Sequence, residues 1–306
     1  MNKTRVFLKS KVSLAAIIIL LVLSGSTYAT EKQLTVTDQA DRVVTLEAIP
    51  VRIVSLAPGN TEILYALGLA DNIVGVSTYC DYPEAAVDKP KIGGFSEVSI
   101  ESVVALEPDV VFATGGVQDE VAKQLTQLGL KVIILDAASL DQVLAAIALV
   151  GQVTGRGNAA RELIEQLEGR IDQVKAAIAS LAKAKPRKVF YEVWYDPPIS
   201  VGPGSFIHDL IETAGGINLM AGSSNPYPVA SLEEIIDADP DVIIYAHGAM
   251  STAQVAERDG WRQMEAVRTG RIVSIDDENI LVRPGPRIVE GLEALAEAIY
   301  PEAFDQ

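Results

Sequence analysis

The chain has one cysteine and two histidines among its 306 residues. A single thiol, Cys80, excludes an internal disulfide, so the fold must be held by burial, and Cys80 itself is expected to be a small buried side chain. His208 and His247 are too few for catalytic or metal-binding arrangements that draw on several imidazoles, and both lie in the second half of the chain. No G-x-S-x-G nucleophile elbow is present, and Gly202-Pro203-Gly204 does not continue into the G-x-G-x-x-G of a dinucleotide site. These absences argue against a hydrolase, an oxidoreductase and a carrier of free metal. Base is short as well: 25 Lys and Arg face 41 Asp and Glu. Such a surface repels nucleic acid and anionic membrane. No apolar run approaches the roughly 20 residues of a spanning helix.

The longest apolar run, Val12 to Leu23, follows Lys3, Arg5, Lys9 and Lys11 and precedes Thr27-Tyr28-Ala29. That order is the pattern of an export signal cleaved after Ala29. Leu23-Ser24-Gly25-Ser26 has the shape of a lipoprotein signal, but Ser stands where the lipidated Cys would be. A freely soluble periplasmic protein is therefore expected. Removing residues 1–29 leaves 21 basic and 41 acidic residues, a net charge of −20. The remaining chain is long enough for two ordinary domains.

What is present is a duplication. Ser99 to Gly116, S-I-E-S-V-V-A-L-E-P-D-V-V-F-A-T-G-G, recurs 132 positions later as S-L-E-E-I-I-D-A-D-P-D-V-I-I-Y-A-H-G, Ser231 to Gly248. Each copy spells a short helix, a Pro-Asp turn and a buried strand. A weaker match pairs I-V-S-L-A-P-G-N-T-E from Ile53 with I-S-V-G-P-G-S-F from Ile199, read as strand, Pro-Gly turn and helix. After an extended start from Leu34 to Val44, strands at Ile53–Leu56, Ile73–Ser77, Val110–Ala113 and Lys131–Leu135 alternate with helices. This predicts a parallel α/β sheet covered on both faces. Between Asn158 and Leu181 apolar residues recur at three and four, which predicts one helix from Gly157 to Ala184, roughly 40 Å long at 1.5 Å per residue. With under four heptads and Gly169 inside it, this helix is expected to pack on the lobes rather than form a coiled-coil dimer, leaving a monomer. The expected architecture is an α/β lobe over residues 30–155, an interdomain helix over 156–185, a second α/β lobe over 186–306, and a ligand cleft between the lobes. A rigid helical connection predicts modest closure on a ligand.

Five segments carry a resemblance: R-I-V-S-L-A-P-G-N-T-E-I-L-Y-A-L-G-L from Arg52, V-S-T-Y-C-D-Y-P from Val76, the Ser99–Asp109 segment, the long helix, and R-P-G-P-R from Arg283. In this order they resemble the class III solute-binding proteins of ABC importers, the group that takes up cobalamin, haem and ferric siderophores, and its cobalamin-binding branch above all. The resemblance implies a bilobed fold, no enzymatic activity, no resident cofactor, and delivery of a small molecule to a permease–ATPase complex in the inner membrane. It maps an aromatic cage onto Tyr79, Phe95, Thr114, Ile199 and Tyr227, of which three are aromatic here. The family's late acidic and basic contacts fall on Asn279 and Arg283, so the acid is missing unless Asp276 or Asp277 replaces it. Trp194 and Tyr195 are candidates to restore the lost flat surface. For haem, Tyr79 is the candidate axial ligand through its phenolate. Trp261 is expected in the core, and Arg287 is expected to cap or tether the last helix. Glu101 and Glu233 suit the positive ends of the duplicated helices, with Ser99 and Ser231 as N-caps; the resemblance adds that this pair docks on permease arginines.

Overall fold

The computed structural model describes residues 33–304; the expected export signal lies outside them. The chain opens with an antiparallel hairpin, β1 (Leu34–Thr37) and β2 (Val43–Leu46), where the sequence pattern suggested a single extended run. Asp38 and Arg42 close its turn: Arg42 Nε donates to Asp38 Oδ2 at 2.9 Å. The first lobe is built on β3 (Ile53–Ser55), β4 (Ile73–Val76), β5 (Val110–Ala113) and β6 (Val132–Ile134). All its neighbouring strands are parallel, in the order β4-β3-β5-β6. After the 157–184 helix come β7 (Arg187–Glu192), a small hairpin of β8 (Trp194–Tyr195) and β9 (Pro198–Ile199), then β10 (Gly216–Asn218), β11 (Val242–Tyr245) and β12 (Ile272–Ser274). Their parallel sheet runs β10-β7-β11-β12. Each sheet thus places its second strand outside its first and its third and fourth on the other side. The duplication seen in the sequence is a duplication of topology.

Its details repeat too. Ser99 and Ser231 each accept a hydrogen bond from the backbone N–H three residues on, capping the helices Ile100–Ala105 and Leu232–Ala238. Asp109 Oδ2 accepts from the N–H groups of Val51 and Arg52, both at 2.8 Å, and Asp241 Oδ2 accepts from Lys188 N–H at 2.9 Å. In both lobes the Pro-Asp aspartate ties the third strand to the start of the first. The weaker match did not hold at its strand. Ile199 lies in the hairpin opposite Trp194, and the counterpart of β3 is β7. What corresponds is only a Pro-Gly at the helix start, inside the first turn of Pro58–Ala66 and just before the Ser205 cap of Phe206–Thr213, because the hairpin is inserted between β7 and that Pro-Gly.

Side chains alternate across each sheet. Val110 and Phe112 face a large central core, whereas Val111 and Ala113 face a smaller outer cluster. In the second lobe Val242 and Ile244 join the same central core, and Ile243 and Tyr245 face an outer cluster around Trp261, which is 1% exposed. The long helix, Gly157–Ala184, contributes Ala160, Leu167, Ile171, Val174 and Ile178 to the central core. It packs on the Leu140–Val153 and Ile288–Ile299 helices. Both lobes and their connection therefore share one continuous apolar body.

The two lobes also touch through backbone. A Cβ on Gly59 would lie 2.7 Å from the carbonyl oxygen of Pro284. Gly59→Ala should therefore lower stability by about 1–3 kcal/mol through forced separation of the lobes. Gly169, inside the long helix, has nothing within 4 Å of such a Cβ, and Gly169→Ala should raise stability by up to about 1 kcal/mol. Thermal melts of the pair check both; equal shifts of the same sign would contradict the interlobe contact at Gly59.

Candidate ligand cleft

Parallel strands deliver the following loops to their carboxyl edge, where α/β proteins bind ligands. Here the carboxyl edges of both sheets face one another across a cleft of about 420 Å³. The first-lobe wall presents Tyr79 after β4, Phe95, and Thr114 after β5; the second presents Asn279, Val282 and Arg283. Tyr79 is 59% exposed. Phe95 is half-buried, although the Gly93-Gly94 before it gives its loop a permissive backbone. Gln118 explains the difference. This side chain is fully buried; its Nε2 donates to the carbonyls of Phe95 at 2.7 Å and Leu56 at 3.0 Å, and its Oε1 accepts from Thr114 N–H at 2.9 Å. One amide thereby pins three loops of the cleft wall. No sequence pattern marks a lone glutamine for this task.

A second cavity of about 100 Å³ adjoins the cleft at Val282 and is bounded by Tyr191, Glu192, Tyr227, His247 and Glu278. Of the sequence-derived candidates, Tyr79, Phe95 and Arg283 thus meet in the main cleft, and Tyr227 borders the side cavity. Trp194 and Tyr195 border neither. Rather than ending a buried strand, Trp194 lies on the β8–β9 hairpin, 42% exposed, with Tyr195 38% exposed beside it. Their rings lie 5.0 Å apart, and each centroid is 5.9 Å from that of His247. Behind His247 is the buried carboxylate of Glu192, which meets His247 Nε2 at 2.9 Å and Arg258 Nη2 at 2.8 Å. His247 Nδ1 accepts from Ala249 N–H at 3.1 Å. Both ring nitrogens are engaged, so His247 has none free for a metal. Of the aligned cage positions that lack an aromatic residue, Thr114 lines the cleft and Ile199 lines neither cavity.

The R-P-G-P-R segment is a clasp between lobes. Arg283 Nη2 donates to Asp81 Oδ2 at 3.2 Å. Arg287 reaches Glu62 with Nε at 3.1 Å and Nη2 at 2.9 Å, reaches Asp277 Oδ2 at 3.1 Å, and lies 3.9 Å over the ring of Tyr82. Arg287 does more than tether the last helix: it joins the lobes. The Glu62 side chain is 2% exposed. Burial pushes its carboxyl above the ordinary range despite both guanidinium groups, whereas the Arg283 hydrogen bond holds Asp81 below it. Asp277 is turned toward Arg287 and Asn279, and neither it nor Asp276 lines the cleft. Cys80 is buried, accepts from Thr61 Oγ1 at 3.1 Å, and has its thiol pushed up by burial. Glu101 and Glu233 are exposed in the first turns of the two equivalent helices.

Comparison with known proteins agrees with this arrangement. The family model described as periplasmic binding protein matches residues 53–279. An ABC transporter substrate-binding lipoprotein of Bacillus subtilis is 33% identical over 277 residues, spanning 89% of this chain and 87% of that one. The periplasmic vitamin B12 binding protein of Vibrio cholerae superposes with a TM-score of 0.72 at 29% identity, over 84% of this chain and 99% of the other. The periplasmic heme-binding protein of Roseiflexus sp. RS-1 gives 0.71 at 28%, over 82% and 98%. The family match runs through both parallel sheets, and the chain accordingly belongs to the periplasmic binding protein family, whose members are substrate-binding transport proteins and not enzymes.

Proposed function

We propose that this protein is exported by cleavage after Ala29, captures a corrinoid, cobalamin in the first instance, between its lobes, and delivers it to an ABC permease–ATPase complex in the inner membrane. The observation that carries this reading is the set of aromatic side chains left open around the cleft: Tyr79 and Phe95 from one lobe, Tyr227 from the other. Tyr79 and Tyr227 are 59% and 53% exposed. A broad macrocycle gains most from such faces, with few polar groups fixing its orientation. Arg283 is one such polar group, and Trp194 and Tyr195, which stand outside both cavities beside His247, would meet only a part of the ligand that projects past it. The resemblance to a vitamin B12 binding protein supports the same ligand class. A second reading, haem, rests on the exposed phenol of Tyr79 at the cleft wall, a group able to ligate iron.

Calorimetry with cyanocobalamin and cobinamide tests the first reading; absorbance spectra after incubation with haemin or a ferric siderophore test the alternatives. Tyr79→Ala and Tyr227→Ala should each weaken corrinoid binding by about 1–3 kcal/mol. The melting temperature of the free protein should barely move, since both rings are half open to solvent. Absence of heat with either corrinoid, alongside tight binding of haemin or a siderophore, would reassign the ligand.

A further inference from the structure

The side cavity has a chemistry of its own. Tyr191, on the central strand β7, is 2% exposed, yet its hydroxyl bonds to no described residue. Unlike the enclosed hydroxyl of Tyr65, it is not sealed in the core; it opens onto the cavity. A hydroxyl at a cavity wall with no protein partner is free to bond a ligand group in place of solvent. Burial, with Glu278 and Tyr227 adding to it, pushes this phenol well above its ordinary value, so it remains a neutral donor and acceptor. The carboxylate of Glu278 borders the same cavity and has no cationic partner among the described residues. The other charges there are satisfied: Glu192 is held by Arg258 and His247. The remaining wall, including Val193, Phe206 and Leu281, is apolar.

We infer that this cavity is a subsite for a hydrogen-bond-donating side arm of the bound ligand, a primary carboxamide, received by Tyr191 and Glu278, and that it rejects a carboxylate arm. The inference rests on the corrinoid reading and sharpens it. At about 100 Å³ the cavity admits a carboxamide and the carbon that bears it. The amide N–H groups suit the carboxylate, and its carbonyl suits the Tyr191 hydroxyl. A carboxylate arm would face Glu278 as a like charge, which disfavours it. A corrin carries carboxamides on its rim whereas haem carries propionates, so the same cavity separates the two ligands.

The test compares cyanocobalamin with its monocarboxylic acid derivatives, in each of which one rim propionamide is hydrolysed, by calorimetry on the mature protein. At least one derivative should bind about tenfold more weakly or worse. Glu278→Gln should reduce that discrimination to within about threefold. Tyr191→Phe should weaken cyanocobalamin about tenfold without lowering the melting temperature, because the free protein loses no hydrogen bond. If Tyr191→Phe fails to fold, Glu278→Gln at its exposed position carries the test alone. Equal affinity for the amide and every acid, or unchanged discrimination in Glu278→Gln, overturns the subsite and leaves the corrinoid reading standing. No binding of any corrinoid removes both.

Discussion

Reversal of Glu101 and Glu233 together to lysine is expected to abolish uptake of the ligand by cells while leaving the affinity of the purified protein unchanged. The two glutamates occupy the second position of helices related by the internal duplication, each behind a serine N-cap. Both are exposed, and neither belongs to either cavity. Equivalent sites on two lobes of the same topology would present one negative charge each to a permease carrying matching arginines, the docking that the family resemblance implies. Lysines at both positions would turn two attractions into two repulsions, a change of several kcal/mol in docking. The helices should survive, since their caps come from Ser99 and Ser231; loss of a favourable dipole contact costs no more than about 1 kcal/mol per helix. Transport assays in cells and calorimetry on the purified double variant provide the two measurements. Transport at the unaltered rate would reduce these residues to helix-start glutamates.

Arg287→Ala should be the most destabilising single substitution at the lobe junction, by about 3 kcal/mol. It removes two hydrogen bonds from Glu62 and leaves that buried carboxylate only Arg283, whose Nη1 is 3.7 Å away. The effect should also depend on pH in a defined direction. Burial already raises the Glu62 carboxyl above its unfolded value, and loss of Arg287 raises it further. A group whose folded pKa is raised keeps its proton to higher pH in the folded state, so its contribution is present below the unfolded value and is lost as pH rises through the folded one. The variant should therefore lose more stability at pH 8 than at pH 5, relative to the unaltered protein. Denaturant titrations at the two pH values check this. A loss independent of pH would mean that Arg287 acts by packing over Tyr82, not through the Glu62 charge.

Much of the fold was legible before any coordinates. The bounds of the long helix, Gly157 to Ala184, follow from a three-and-four apolar spacing closed by Lys185-Pro186, because both signals are local. The 99–116 and 231–248 repeat disclosed two lobes because backbone turns and buried strands restrict residue choice wherever they recur. The hairpin at Trp194 was not legible: Val193 follows β7 without a break in character, and only Ser200 Oγ bonding back to Tyr191 and the pairing of Trp194 with Ile199 reveal the chain reversal.

The sequence by itself determined the two-lobed parallel α/β plan, the helix joining the lobes and the serine caps, since each is written in periodicity or in residue types close along the chain. Tertiary structure alone decided which charges meet and which hydroxyl remains free. Arg287 lies 225 positions from Glu62, and Arg283 lies 202 positions from Asp81. Nothing local selects such partners; the selection is made by burial, which forces a carboxylate at 2% exposure to find a cation across the lobe boundary and leaves Tyr191 facing a cavity with its hydroxyl unspent.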